Sequence, residues 1–305
     1  MVKRDEKLLQ KGNCIAFIKD GEGSMGYGVY KAEDFIATTN IALGYAPFLN
    51  PYTGIFITTI ADKVRGKYSY NYKRSEERLK REMLQLPVDD KGNPDWPFME
   101  EYIRERERFL LERYSCSAEG ECEKVSLDGV KWGEFVIGDL FDVSLPSGDV
   151  QADKCETGDF PLLSAGFNNN GICKFITCYD EKANLYNGNV ISVDMFGKAF
   201  FHGYNFYSVS HGRINILVPR TSLNKYHLQF VITAISYSVK GKFSYNQMCS
   251  SKRVKKLLIQ LPIDEFGRPD YSFMEKFMRS IERRLLRSYI GHLQAKLRNT
   301  PPRKC

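Results

Sequence analysis

From Gly66 to Tyr114 the chain is spelled again, without a gap, from Gly241 to Tyr289, about 175 residues further on. Roughly half of the paired positions are identical. Gly66-Lys67-Tyr68-Ser69-Tyr70-Asn71 returns as Gly241-Lys242-Phe243-Ser244-Tyr245-Asn246. Gln85-Leu86-Pro87-Val88-Asp89 returns as Gln260-Leu261-Pro262-Ile263-Asp264. Gly92, Pro94, Asp95, Phe98, Met99 and Glu100 match Gly267, Pro269, Asp270, Phe273, Met274 and Glu275. Upstream the match fades, although Gly12-Asn13 falls near Gly188-Asn189 with a slip of one residue. A repeat of this span makes each copy the same supersecondary unit, so the chain is a tandem duplication. The copies are unequal. The second carries a preamble, from Trp132 to about Tyr186, that the first lacks, so the first is expected to be a shortened domain.

The complete copy sets the expected architecture. KWGEFVIGDLFDVSLPSG reads as a strand-rich entry, and FPLLSAGFNNNGICKFI as a hairpin split by Gly and Asn. GNVISVDMFGKAFFHGYNFYSVS alternates apolar and polar residues, and RINILVPR is a further strand. LNKYHLQFVITAISYSV has helical spacing, VKKLLIQLPID reads as a strand stopped by proline, and EFGRPD is a turn. A long helix follows, from about Ser272 to Arg298, with Met274, Phe277, Ile281 and Leu285 in its apolar stripe. The first copy repeats that helix over 97–114, with Met99, Ile103 and Leu110 in the stripe. Each stripe can pack on its own domain; the length of the second favours helices that pack against each other or against a partner, as a spacer. The expected class is α+β: two tandem domains with a mixed, twisted sheet, each followed by a long helix, the helices antiparallel. The expected boundaries are 1–96 for the first domain, 97–114 for its helix, 115–131 for a linker, 132–271 for the second domain, 272–298 for its helix and 299–305 for a tail.

Several functional classes lack their residues. The eight cysteines form no CxxC pair, and the four histidines do not cluster with them, so no zinc site and no other metal site is expected. No run approaches the length of apolar residues that spans a bilayer, and the N-terminus lacks the apolar core of a signal peptide; a cytoplasmic chain with reduced thiols is expected. Asn93-Pro94-Asp95-Trp96 faintly resembles the motif with which amino-methyltransferases hold a flipped base. Its repeat partner is Arg268-Pro269-Asp270-Tyr271, so it reads instead as a turn, with Asp95 and Asp270 as helix caps. The glycine-rich run Asp20–Gly28 lacks the ending of a phosphate cradle. No converging carboxylates for metal-dependent phosphodiester cleavage can be assigned. The net charge of +7 is compatible with a polyanionic partner.

What remains is binding chemistry. In GKFSYN, Lys242 offers a point charge to phosphate, Ser244 and Tyr245 offer hydroxyls, and Asn246 can pair with adenine; Lys252 and Arg253 add charge. Lys67, Tyr70, Asn71 and Arg74 match this in the first copy. The bland alternative is that the aromatics and glycine pack a turn and the lysines are merely solvated. Turn-rich stretches supply a second candidate surface with Asn168, Lys198, His202 and Arg213, and with Lys31 in the first copy.

Taken in order, the elements resemble a known family. They are Trp132, Phe135, Ile137 and Asp139-Leu140-Phe141; then Pro161-Leu162-Leu163-Ser164; then Gly188-Asn189, Lys242-Phe243-Ser244-Tyr245 and Leu261-Pro262 before a long helix. This is similar to the target-recognition unit of type I restriction-modification DNA specificity subunits. The LP-[VI]-D-x-x-G-x-P-D-[YW]-x-F-M-E stretch is most similar to the specificity subunits of type IIB systems. The resemblance implies a non-catalytic subunit that reads double-stranded DNA, with a methyltransferase subunit, and a restriction subunit in some assemblies, docked on the helices. It also implies that S-adenosylmethionine and magnesium belong to those partners, and that this chain holds no cofactor.

Overall fold

The computed structural model describes residues 8–21, 25–68, 72–118, 125–148, 152–166, 169–177, 183–208 and 213–298. The chain divides into two compact units, Met1–Ser117 together with Tyr289–Cys305, and Ala118–Ser288. The fold is α+β.

The first unit opens with β1 (Leu9–Gln10), β2 (Cys14–Ile18), β3 (Gly28–Lys31), β4 (Phe35–Ile36) and β5 (Ile41–Gly44). Three of these form an antiparallel sheet in the order β3-β2-β5. Helix α1 (Pro51–Lys63) lies against it, and α2 (Glu76–Lys80) and α3 (Trp96–Ala118) follow. The core here is small, with Ile15, Leu49 and Ile57 at its centre.

The second unit runs β6 (Trp132–Val136), α4 (Ile137–Leu140), β7 (Phe141–Ser144), β8 (Thr157–Leu163), β9 (Ile172–Ile176), β10 (Asn184–Tyr186), β11 (Val190–Asp194), β12 (Ala199–His202), β13 (Phe206–Ser208) and β14 (Ile214–Pro219). It continues with α5 (Lys225–Val239), α6 (Ser251–Lys255), β15 (Leu258–Pro262) and α7 (Tyr271–Arg298). One sheet is antiparallel, in the order β12-β11-β14-β7; a second, β10-β13-β8-β9, is mixed, because β13 runs parallel to β8. All five residues of β11 are buried, as a strand covered on both faces requires. Ile191, Val193 and Leu217 of the antiparallel sheet meet Leu228, Val231 and Ile235 of α5, and Met274 of α7 closes the same core.

The repeat is structural as well as spelled. The order β3-β2-β5 with α1 matches β12-β11-β14 with α5. The weak Gly-Asn match marks the same device in both copies. Asn13 and Asn189 each sit at positive φ, 52° and 64°, just before the central strand, a backbone region that asparagine tolerates. After Pro87 and Pro262 the chain makes one turn twice. Asp89 Oδ1 accepts from the amides of Lys91 and Asn93, and Asp264 Oδ1 from those of Phe266 and Arg268. Gly92 and Gly267 take φ of 80° and 75° there, which is why both copies keep glycine. Asp95 and Asp270 then cap α3 and α7, accepting from Phe98 N and Phe273 N at 2.9 Å each.

Three expectations shift. The strand read in VKKLLIQLPID begins only at Leu258, because the basic run before it forms α6 around one buried residue, Val254. The first helix begins at Trp96 and runs to Ala118, into the stretch read as linker. The matching run Met83–Pro87 in the first unit is no strand, although β15 pairs with β6 over its whole length; among the described residues no strand lies beside Met83–Pro87. A strand needs a ladder partner, and sequence similarity alone does not supply one.

Candidate nucleic-acid interface

The second-unit turn is built between α5 and α6. Lys242 N donates to Val239 O at 2.9 Å as the helix ends. Ser244 and Gln247 then bond each other's backbone in both directions, at 3.2 and 3.1 Å, leaving Tyr245 and Asn246 at the tip. Phe243 packs inward against the main core, which turns its neighbours outward. Lys242, Ser244, Tyr245 and Asn246 are all exposed, Tyr245 at 69%.

Helix α6 supplies the rest. It buries Val254 and leaves Lys252, Arg253 and Lys255 in solvent, with Lys256 exposed just past its end. Arg253 Nη1 donates to Met248 O at 2.6 Å, which ties the helix to the end of the turn. Between turn and helix lies an open groove of about 930 Å³. Lys242, Lys252, Arg253, Lys255 and Lys256 line it, with Phe243, Leu257 and Leu258 among its apolar residues, and no carboxylate lines it among the described residues. Five cations beside an exposed phenol and amide make a surface that attracts polyanions and offers hydrogen bonds to base edges. The structure thus brings together Lys242, Ser244, Tyr245, Asn246, Lys252 and Arg253.

The first-unit copy differs. Lys67 is exposed, with Nζ 5.4 Å from the Tyr68 ring centre. Tyr70 and Asn71 lie outside the described residues. Arg74 corrects the expectation of a phosphate contact. Its side chain is 0% exposed, pairs with Glu82 at 2.7 Å, donates to Gly26 O, and lies over the rings of Phe17 and Tyr68. A guanidinium so enclosed holds the turn and does not reach a ligand. Tyr68 donates to the same Glu82, and burial together with that carboxylate pushes its phenol up to about 12. Lys31 ends β3 with its ammonium 5.5 Å from the Phe35 ring centre.

The second candidate surface is divided. Lys198 and Arg213 are exposed, and Met195, in the turn between β11 and β12, receives Arg213 Nη1 at Sδ. Arg213 holds φ at 52°, a costly conformation for a long side chain. Asn168 lies outside the described residues. His202 corrects the expectation of a base contact. It is fully buried, with Nε2 2.7 Å from Ser192 Oγ and Nδ1 3.3 Å from Tyr204 Oη. Burial lowers its pKa to about 4, so it is a neutral packing residue at ordinary pH.

The helix residues also separate. Met99 and Met274 are fully buried, and Met274 belongs to the core of its own unit, so neither offers a docking surface. Ile103 and Leu110 are half-buried, and Leu285 is 63% exposed. Phe277 and Ile281 line an apolar groove of about 710 Å³ with Trp132, Phe230, Tyr237 and Met278.

One repeated device escaped the reading of the sequence. Asn50 caps α1, and its Nδ2 donates to Glu100 Oε2 at 2.9 Å; Asn224 caps α5 and donates to Glu275 Oε2 at 2.8 Å. In each unit a salt bridge then links that glutamate to an arginine four residues on, Arg104 or Arg279, lying over Tyr52 or Tyr226. The aligned Glu100 and Glu275 were the available signal. Their partners come from a distant part of the sequence.

Comparison with known proteins identifies the family. Residues 129–288 match the model of the Type I restriction modification DNA specificity domain. Over 237 residues the chain is 27% identical to the Type II restriction enzyme BgcI specificity subunit S.BcgI of Heyndrickxia coagulans, covering 76% of this chain and 67% of that protein. Among solved structures, the S subunit of a Type-I restriction-modification system from M. genitalium is similar at 14% identity and a TM-score of 0.41, over 94% of this chain and 79% of that one. The HsdS subunit of Thermoanaerobacter tengcongensis is similar at 13% identity and a TM-score of 0.37, over 94% and 76%. The chain therefore belongs to the type I restriction-modification DNA specificity family, as a DNA-recognition subunit that is not itself an enzyme.

Proposed function

We propose that the chain holds double-stranded DNA by its phosphates in the groove between the Gly241–Gln247 turn and α6, and that Tyr245 and Asn246 at the turn tip meet base edges. The observation that carries this is the gathering of five cations in one groove whose described lining includes no carboxylate. Lys198 and Arg213 extend the contact from the neighbouring sheet.

A methyltransferase subunit docks on the long helices. Ile281 and Phe277 of the apolar groove and the exposed Leu285 form its seat. A restriction subunit joins the same assembly in some complexes. S-adenosylmethionine and magnesium are then bound by the partners. No helix among the described residues is long and apolar enough to cross a membrane, and the assembly acts on DNA in the cytoplasm.

The test is co-expression with candidate methyltransferase subunits, co-purification, and mapping of methylated sites in host DNA. A stable complex that methylates one sequence, redirected when Tyr245 and Asn246 are replaced, supports the reading. A complex whose target is indifferent to the turn contradicts it.

A further inference from the structure

We infer that the duplication is functionally one-sided: the second unit alone grips the DNA backbone with its lysine-aromatic turn, and the matching turn of the first unit is a carboxylate-latched structural element. This rests on the DNA-recognition reading above and deepens it.

The described parts of the two turns, on either side of residues 69–71, share one scaffold. Arg253 Nη1 donates to Met248 O at 2.6 Å, and the matching Arg78 Nη1 donates to Lys73 O at 2.7 Å. A short helix follows each turn, α6 or α2. Lys242 and Lys255 have exposed equivalents in Lys67 and Lys80. Over the described residues, therefore, register does not separate the copies.

Charge does. Position 252 is lysine in the second unit and its match in the first is Glu77; position 251 is serine and its match is Glu76. Glu76 Oε1 accepts from Lys19 Nζ at 3.0 Å, and that ammonium holds its carboxyl below the usual range. Asp20 accepts from Lys73 Nζ at 2.5 Å. Glu82 takes up Arg74 inside the fold. Arg78 lies flat over Tyr72, with Cζ 3.8 Å from the ring centre. The first copy thus answers Lys73, Arg74 and Arg78 with carboxylates and an aromatic face of its own. It also places Glu77 in solvent where the second copy offers an ammonium. Phosphate affinity grows with each cation that releases a counterion, and a neighbouring carboxylate opposes it. The same scaffold is therefore a grip in one unit and a latch in the other.

The experiment uses the purified full chain and a labelled random-sequence duplex, with affinity measured by fluorescence anisotropy across a salt series. Two matched pairs of exposed lysines are compared: Lys242→Ala with Lys255→Ala, and Lys67→Ala with Lys80→Ala. The second-unit pair is expected to flatten the log–log salt slope by about two, and the first-unit pair to leave slope and affinity unchanged. Equal losses from both pairs would overturn the one-sided assignment and leave DNA recognition standing. A wild-type chain without salt-dependent binding would overturn DNA recognition itself.

Discussion

Arg74 Nη2 donates to Glu82 Oε1 at 2.7 Å in the interior of the first unit, and the second unit carries Cys249 and Leu257 at the two matching places. Tyr68, which donates to the same glutamate, is matched by Phe243. One fold thus solves one core position with an ion pair in one copy and with apolar residues in the other.

Removing one partner of that pair leaves a buried charge without compensation. Arg74→Ala is expected to cost about 3–5 kcal/mol in urea unfolding. The triple change Tyr68→Phe, Arg74→Cys, Glu82→Leu, which copies the second unit, is expected to restore most of that stability. A triple variant as unstable as Arg74→Ala would show that the copies do not share this core.

Asn224 serves two masters, the amides that open α5 and the Glu275 carboxylate of α7. Asn224→Ala should lose about 1–2 kcal/mol. Asn224→Asp separates the two roles. Aspartate caps a helix as well as asparagine does, but it faces Glu275 with a second negative charge, so it should be no better than alanine here. Wild-type stability in Asn224→Asp, measured by urea unfolding, would deny the Glu275 contact.

His202 makes stability depend on pH. Its folded pKa is lowered to about 4, beneath the unfolded value of about 6.5, so between these limits the unfolded chain binds more protons. Its contribution is present above about pH 6.5 and is lost as pH falls toward 4, by an amount on the order of 3 kcal/mol. His202→Gln should flatten the stability curve in that window. An unchanged slope would place the titration elsewhere.

Leu285 is 63% exposed on α7, outside the packed core. Leu285→Glu should leave the melting transition of the isolated chain in place and abolish co-purification with the methyltransferase subunit. Intact assembly would move the docking seat away from this part of the helix.

Much of this architecture was legible in the sequence. The spacing in Lys225–Val239 and Tyr271–Arg298 follows a helix because one face of each meets the core. The repeat announced two like units, and the paired aspartates announced their caps. Burial of individual polar residues was not legible. Arg74 reads like its solvated neighbours, and only the approach of Glu82, Gly26 and Phe17 shows that it is enclosed. His202 ends the short strand β12, Ala199–His202, and sequence alone does not show that it points inward. Asn50 and Glu100 meet across a distance in sequence that local patterns do not span.

DNA recognition is tested by the affinity of the purified chain for duplex DNA, taken between about 50 and 200 mM salt with S-adenosylmethionine and magnesium present. Binding is expected to weaken by orders of magnitude over that range, with the DNA recovered neither cut nor methylated. Affinity indifferent to salt, or turnover by this chain alone, would contradict it.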